Sequence, residues 1–362
     1  MKPSWFLWFD IEDLKGSLVT FLIFWAATLL WILINPPGGF MIVTLATGLS
    51  ILTTFSPLKP HKLMIVFTMA FAFAMVMYVL VLPNLHYGWE LGLFIFGYAF
   101  IGFYFINPKL SVFFLLGMAT LGITNEMNYN FAIFLITLFI FYAFLFILLF
   151  FDYLPFSMKA EHLFSVMKKR FFRLSQLLLI RNHSLRLGKG TLLGALAAKY
   201  SEVHLENTVK KMQLWASQID TRYFSSIDQT RLMGFAKECE SFVYLLKMTY
   251  YGDQKMLDNP LLEIFRQKYK GAVLIDLLDE YASGKVVNEV DPFWRDEKKI
   301  VEKVEEDLDR FLSGIKLSDY SQKDIHEFYE NINLHKNLWL SLFSIQNKMS
   351  EIDFKALEVN RF

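Results

Sequence analysis

Long apolar runs fill the chain from Ser17 to Phe151. Crossing the hydrocarbon core of a bilayer takes about 20 mostly apolar residues in helix. Four runs have that length. A fifth, from Trp89 to Ile123, is divided by Asn107-Pro108-Lys109, because Pro disfavours helix in the preceding residue and Lys is costly at mid-membrane. The pattern therefore predicts six transmembrane helices, at about residues 17–34, 38–56, 62–82, 89–106, 110–123 and 131–151.

After Pro155 the pattern changes to that of amphipathic helices in water. Apolar residues recur every three or four positions from Leu163 to Leu178, with basic residues between them. No stretch shows the alternation of a strand. Further helices are predicted at Leu192–Ile219, Ser226–Tyr250, Pro260–Tyr281, Pro292–Leu312 and Ser321–Met349. The fold class is therefore all-α, with a transmembrane domain at residues 1–155 and a cytoplasmic helical domain at residues 156–362.

The short connections between the predicted spans place the basic residues on one side. Lys15, Lys59, Lys62 and Lys109 fall on the face that also carries the basic helix after the sixth span. The opposite face has acidic residues but no Lys or Arg. Basic residues accumulate on the cytoplasmic side of short loops. The distribution therefore predicts that both termini lie in the cytoplasm.

Composition separates two unlike halves. Residues 1–151 contain five of the 36 basic residues and five of the 35 acidic ones, so the net charge of +1 averages a lipid-embedded half with a charged one. This gives no basis for nucleic-acid binding. The single cysteine, Cys239, permits no intrachain disulfide and no thiolate metal cluster, which suits a reducing cytoplasm.

No motif indicates an enzyme, a cofactor or a metal site. The segment Leu187–Thr191 resembles part of a phosphate-binding loop, but the upstream Gly is missing and both flanks have helical patterns, so a turn is predicted. None of the seven His residues pairs with a carboxylate at the spacing of a zinc or di-iron motif. No Ser lies in a nucleophile elbow, and the membrane half has no paired carboxylates at hydrolytic spacing.

Polar and helix-breaking residues concentrate at the ends of the spans. Discontinuous helices of transporters expose backbone dipoles to a solute at such points. The substrate-pathway candidates are Asn35, Pro36, Pro37, Gly38, Asn107, Pro108, Asn125 and Asn128. The alternative is that these residues form only loop turns. Glu90 and Glu126, predicted on the outer face, are the proton-coupling candidates, with a solvated surface charge as the alternative.

The predicted spans also contain uncharged hydroxyls and small residues. Most of the hydroxyls are expected to bond to the backbone or to a neighbouring helix. They belong to Thr28, Thr44, Thr47, Thr53, Thr54, Thr68, Tyr78, Tyr98, Tyr104 and Thr120. The small residues are expected to mark close helix packing and not a pore. They are Gly92, Gly97, Gly102, Gly117 and Gly122.

The membrane half resembles that of a known family. The matching features are patterns of apolar, Pro and Gly residues, not a catalytic signature. They are the run Leu30–Gly39, Asp13 and Lys15 before it, Ser56-Pro57 at the end of the next span, and Pro155, Glu161 and Phe164 beyond the sixth. In these features the chain is similar to the fusaric-acid-resistance (FUSC) family, which includes the aromatic acid exporters. It resembles most closely the C-terminal half of members that carry two such halves.

The resemblance implies an efflux subunit of the bacterial inner membrane. Such a subunit exports aromatic carboxylic acids or related toxic organic anions and is driven by the proton gradient. The resemblance also implies a homodimer or pairing with a second six-span half, and a periplasmic adaptor subunit. Two alternatives stay open: a passive organic-anion channel, since the aluminium-activated malate transporters have a similar plan, and a membrane scaffold that transports nothing.

Overall fold

The structure is a computed structural model. It describes residues 10–34, 40–54, 60–106, 111, 114–121, 123, 131–153, 160–186, 191–220, 224, 227–268, 273–285 and 296–358. Within these ranges every regular element is helical and none is a strand, which confirms the all-α prediction for the described residues. The chain divides into two compact units, Asp10–Met158 and Lys159–Phe362, and each is described by itself.

The first unit is built from apolar helices. Its elements are α1 (Ile11–Ile34), α2 (Met41–Thr54), α3 (Pro60–Val76), α4 (Gly88–Tyr104), a 3₁₀ segment (Leu116–Leu121) and α5 (Phe131–Tyr153). Among the residues that the structure describes, three stretches are long and apolar enough to cross a membrane: Glu12–Ile34, Met64–Asn84 and Phe134–Phe151. They overlap the first, third and sixth predicted spans. Helix α4 is equally apolar but has 17 residues, and the described α2 has 14.

Large apolar side chains lie on both the inside and the outside of the first unit. Phe67, Phe141 and Phe144 are fully buried in its core, where α3 packs against α5 and the 3₁₀ segment. Leu33 and Phe139 point outward and are 79% and 72% exposed. A helix that is apolar on every side is stable against lipid but not in water. This distribution supports a membrane protein.

The second unit has the opposite distribution, with apolar faces inside and charged faces outside. Its helices are α6 (Ala160–Arg186), α7 (Leu192–Ala216), α8 (Gln229–Lys255), α9 (Pro260–Lys268), α10 (Val273–Ala282), α11 (Glu297–Ser313), α12 (Gln322–Ser350) and α13 (Phe354–Glu358). The predicted single helix Pro260–Tyr281 is wrong, because it corresponds to two elements, α9 and α10.

Several helix starts in the second unit are fixed by capping side chains. Asn259 precedes Pro260, and its Oδ1 accepts the backbone N–H of Leu262 at 3.1 Å. The Ser321 Oγ accepts the N–H of Asp324 at 3.1 Å at the start of α12. Each bond satisfies a backbone donor that the first helical turn leaves open. The predicted start at Pro260 is thus confirmed, and the Asn259 cap explains it.

Two hydrophobic cores hold the second unit together. The larger core lies among α6, α7, α8, α10, α13 and the last half of α12, and includes Phe171, Phe242 and Leu342. The smaller core joins α9, α11 and the first half of α12, and is formed by Met256, Leu261, Leu262, Phe311 and Phe328. Helix α12 contributes residues to both cores. Helix α8 belongs to the larger core, and Met256, the residue after its end, belongs to the smaller one.

Helix α10 ends in a motif that requires glycine. Gly284 has a φ of 99°, the N–H of Gly284 donates to Tyr281 O, and the N–H of Lys285 donates to Glu280 O, both at 3.1 Å. This is a Schellman motif with Gly at the left-handed position. A Cβ on Gly284 would also lie 3.3 Å from Cε of Lys169. Glycine thus removes both a backbone and a steric cost.

Gly284→Ala is therefore expected to lower the free energy of unfolding by about 1 to 2 kcal/mol, the cost of a left-handed L-residue. Urea denaturation of the purified protein, followed by circular dichroism, measures this change. Gly314→Ala is the matched control, because Gly314 has a φ of −93° and its nearest neighbour to an added Cβ is 3.5 Å away. Equal destabilisation by the two substitutions would contradict the conformational explanation.

Candidate functional site

Most residues that the sequence nominates for a solute pathway lie outside the described part of the chain. They are Asn35, Pro36, Pro37, Gly38, Asn107, Pro108, Asn125 and Asn128, together with the proton-coupling candidate Glu126. Their roles stay predictions. The other proton-coupling candidate, Glu90, is described.

Glu90 lies in the first turn of α4. Its Oε2 accepts the backbone N–H of His86 at 2.7 Å and that of Tyr87 at 3.1 Å. A Glu at the third helical position commonly reaches back in this way and satisfies donors at the start of the helix. These two hydrogen bonds hold the backbone in place at the start of α4. Its proton-coupling role stays a prediction.

The helical stretch Met64–Asn84 changes its hydrogen-bonding pattern before it ends. After α3, residues Met77–Val81 form a π turn and Leu82–Asn84 a 3₁₀ turn. The N–H of Leu82 bonds to Met77 O, five residues back. Pro83 explains the irregularity, since a Pro inside a helix has no N–H and its ring displaces the carbonyl four residues earlier. π turns inside helices are frequent at functional sites.

The 3₁₀ segment Leu116–Leu121 packs against α3 and covers part of the predicted fifth span. Gly117 makes the close approach possible. A Cβ at Gly117 would lie 2.8 Å from Cβ of Ala70 on α3 and 2.7 Å from the hydroxyl of Tyr98 on α4. The expectation of close packing is therefore confirmed at Gly117 and at Gly102, where an added Cβ would lie 3.0 Å from Cδ2 of Leu115. It is wrong at Gly92 and Gly97, where an added Cβ meets no atom of the described residues within 4 Å. Gly122 lies outside the described part of the chain. An irregular segment at this position is tolerated in a membrane protein when other protein surrounds it.

Tyr98 is the central polar group of this region. Its ring packs against Phe73, Phe94 and Phe114, with ring centroids 5.1, 6.3 and 5.2 Å away. The side chain is 2% exposed, and its hydroxyl has no hydrogen-bond partner among the described residues. Burying a hydroxyl without a partner costs about 1 to 3 kcal/mol. The expectation that hydroxyls bond to the backbone or a neighbouring helix thus does not hold for Tyr98.

Other hydroxyls in the first unit follow the expectation. Thr28 and Thr47 each donate to the carbonyl four residues earlier, at 2.8 and 2.7 Å. Thr68 does the same to Met64 and also bonds the hydroxyl of Tyr142 at 2.9 Å. Tyr142 is thus a half-buried tyrosine whose hydroxyl has a partner, whereas the hydroxyl of Tyr98 has none among the described residues. This contrast identifies Tyr98, with Gly117 and the three surrounding Phe rings, as the candidate solute site.

Sequence reasoning placed both Tyr98 and Gly117 in the spans but had no signal to select them. An orphaned hydroxyl is a property of three-dimensional packing, because the same Tyr at the same position would be satisfied if one neighbour carried an acceptor. A metal role has no support in the described residues, where no three His, Cys, Asp or Glu side chains come together.

Gly117→Ala is expected to overpack the contact among α3, α4 and the 3₁₀ segment. The Ala70 Cβ cannot rotate away, so the helices must separate, at a typical cost of about 1 to 3 kcal/mol. The result is a lower melting temperature of the purified protein and less protein in the membrane. Gly92→Ala is the matched control on α4, because an added Cβ there meets no atom within 4 Å. An equal decrease in melting temperature and in membrane abundance for both variants would contradict the steric explanation.

Comparison of the chain with known protein families, with curated proteins and with solved structures finds no match.

Proposed function

We propose that this chain is a subunit of an inner-membrane exporter of aromatic carboxylic acids or related organic anions. In this proposal residues 1–155 form six transmembrane helices and residues 156–362 a cytoplasmic helical domain, with both termini in the cytoplasm. Support comes from the three helices that are long and apolar enough to cross a membrane. The one-sided distribution of basic residues in the loops supports the same topology.

The observation that carries the transport proposal is the Tyr98 hydroxyl, which lies among Phe rings and has no hydrogen-bond partner in the described part of the chain. The rings of Phe73 and Phe114 could make stacked or edge-to-face contacts with a planar aromatic solute. The hydroxyl offers one hydrogen-bond donor to a carboxylate. Binding of such a solute would satisfy a group that otherwise costs free energy in the buried state. An aromatic acid therefore matches the chemistry of the site, but it can enter only when the 3₁₀ segment moves away from α3 and α4, because Gly117 packs against the Tyr98 hydroxyl in the structure.

An anion-binding site here has to work without a basic side chain. Apart from Lys62, at the end of a predicted span, the six predicted spans contain no Lys or Arg. A hydroxyl and the positive ends of helix dipoles are the remaining sources of stabilisation for a carboxylate. The short 3₁₀ segment Leu116–Leu121 lies next to the site, since its Gly117 packs against the Tyr98 hydroxyl.

The energy source and the partners belong to the same proposal. The proton gradient drives export, and Glu90 and Glu126 remain the proton-coupling candidates. The working form is a homodimer or a pair with a second six-span half, joined by a periplasmic adaptor subunit. The main competing function is a passive organic-anion channel of the same plan.

The test uses cells that lack their own aromatic-acid exporters. The chain is expected to restore growth on toxic hydroxybenzoates or fusaric acid and to keep the cytoplasmic concentration of the acid below that outside. A protonophore is expected to abolish this exclusion. Flux that follows only the gradient of the acid, unaffected by the protonophore, would indicate the channel. No flux from chain shown to be folded in the membrane would favour the scaffold.

A further inference from the structure

The two hydrophobic cores of the second unit meet at one level of the long helices α8 and α12. Leu246 and Tyr250 on α8 belong to the larger core, and Met256, the residue that follows α8, belongs to the smaller one. On α12, Phe328 belongs to the smaller core and Leu338 to the larger one. Both helices therefore change from one core to the other within about one to three turns. The residues at the changeover decide how firmly the cores are joined.

The changeover positions carry polar side chains that bond to one another. Asp253 on α8 is fully buried, and its Oδ1 accepts hydrogen bonds from Asn331 Nδ2 at 2.8 Å and Arg266 Nη2 at 3.1 Å. His335 Nε2 lies 3.2 Å from the same oxygen. Asn182, which is also buried, donates to Oδ2 of Asp253. These five residues, the Asp253 cluster, join helices α6, α8, α9 and α12.

The close approach of α8 and α12 at this level depends on the residue before Asp253. A Cβ on Gly252 would lie 2.9 Å from Cδ1 of Leu334 on α12. Glycine thus leaves room for the Leu334 side chain beside Asp253, at the level where Asn331 and His335 reach the carboxylate. Burying the charged Asp253 cluster costs more desolvation free energy than burying apolar residues of similar volume. All the hydrogen bonds of the cluster end on one carboxylate, so a change at Asp253 affects all of them at once.

We propose that the Asp253 cluster is a latch between the two cores, and that its release lets a small lobe open while the main bundle stays folded. The small lobe comprises α9, α11 and the first half of α12, around Leu261, Leu262, Phe311 and Phe328. Its apolar core is much smaller than that of the bundle. Regions with fewer buried apolar contacts open at lower free energy than the core of a domain.

The chain contains a natural reporter of the main bundle. Cys239 is the only cysteine and is fully buried on α8 within the larger core. Burial raises the pKa of its thiol well above the usual value, so the thiol reacts only after the bundle opens. Labelling of Cys239 therefore reports opening of the bundle, while amide hydrogen exchange in α9 and α11 reports opening of the lobe.

The deciding experiment compares full-length protein with its Asp253→Asn variant in detergent or nanodiscs. Asparagine keeps the shape but removes the charge that Arg266 neutralises. Amide exchange in α9 and α11 is expected to rise at least about tenfold. Arg266 would then lose the buried carboxylate that neutralises its charge, which favours opening of the small lobe. The rate of Cys239 labelling is expected to stay within about twofold of the parent, because the bundle does not depend on the lobe. Lys247→Gln is the control, because Lys247 lies on α8 like Asp253 but pairs with Glu206 on α7. It should change neither readout.

Two results would overturn the latch. Equal increases in lobe exchange and Cys239 labelling would mean that the second unit opens as a single cooperative body. Unchanged lobe exchange would mean that the cluster does not join the cores. If Asp253→Asn does not accumulate as folded protein, Arg266→Gln decides, because Arg266 is a partly exposed partner at the edge of the same cluster. The same two readouts then support or overturn the proposal.

Discussion

Tyr98→Phe is expected to lower export of aromatic acids while raising the stability of the protein. Phenylalanine keeps the ring contacts with Phe73 and Phe114 but has no donor for a carboxylate. Loss of one hydrogen bond to a charged group lowers transport by about tenfold. The same change removes a buried hydroxyl without a partner, so the free energy of unfolding rises by about 1 kcal/mol. An accumulation assay in cells measures the first effect, and thermal unfolding of purified protein measures the second.

Tyr142→Phe is the matched control for this experiment. Its hydroxyl bonds Thr68 at 2.9 Å, so its removal is expected to lower stability slightly, by about 0.5 to 1.5 kcal/mol, and to leave export unchanged. The two variants thus differ in the sign of the stability change and in the transport effect. Normal export by Tyr98→Phe, at parental abundance in the membrane, would exclude the hydroxyl from the solute pathway.

Phe354→Ala is expected to cause the largest loss of stability among single changes near the C-terminal helix α13. The Phe354 ring packs against Phe235 and Phe164 at centroid distances of 5.4 and 6.4 Å. The buried ammonium of Lys168 lies 4.0 Å from the centre of the same ring. Replacing a buried Phe with Ala costs about 3 to 5 kcal/mol, and losing a desolvated cation–π contact adds to that cost. Urea denaturation of the purified protein measures the sum.

Phe354→Leu separates volume from aromatic character in this contact. Leucine restores most of the apolar volume but gives Lys168 no ring, so an intermediate loss of stability is expected. Tyr329→Ala is the surface control, since Tyr329 on α12 is 43% exposed and its loss should cost little. If Phe354→Ala were no more destabilising than Tyr329→Ala, α13 would not be held by the ring contacts.

Much of the second unit follows from local sequence signals. The start of α9 was predictable because Asn259-Pro260 combines a side-chain acceptor with a residue already restricted to helical φ. The start of α12 at Ser321 has the same local origin. The division of Pro260–Tyr281 into α9 and α10 was not predictable from periodicity. The two helices have the same apolar spacing, but they join different cores.

In the first unit, too, local sequence signals predict the helices but not the candidate site. Apolar length predicts helices that cross a membrane, and it identifies the stretches around α1, α3 and α5. It does not say which hydroxyl is left without a partner, because Thr68 and Tyr142 find each other across 74 positions in the chain. The sequence candidates at the span ends, such as Asn35 and Asn125, stay predictions.

The sequence by itself determined the all-α class of the described residues, the apolar character of the helices in the first unit and several helix starts of the second. These properties depend on residues within one or two turns of each other, so a local pattern is enough to predict them. The tertiary structure alone decided that Tyr98 is orphaned, that Gly117 allows close packing, and that Asp253 collects donors from three other helices. Each of these depends on which residues the fold places within a few ångströms, and no spacing along the chain records that.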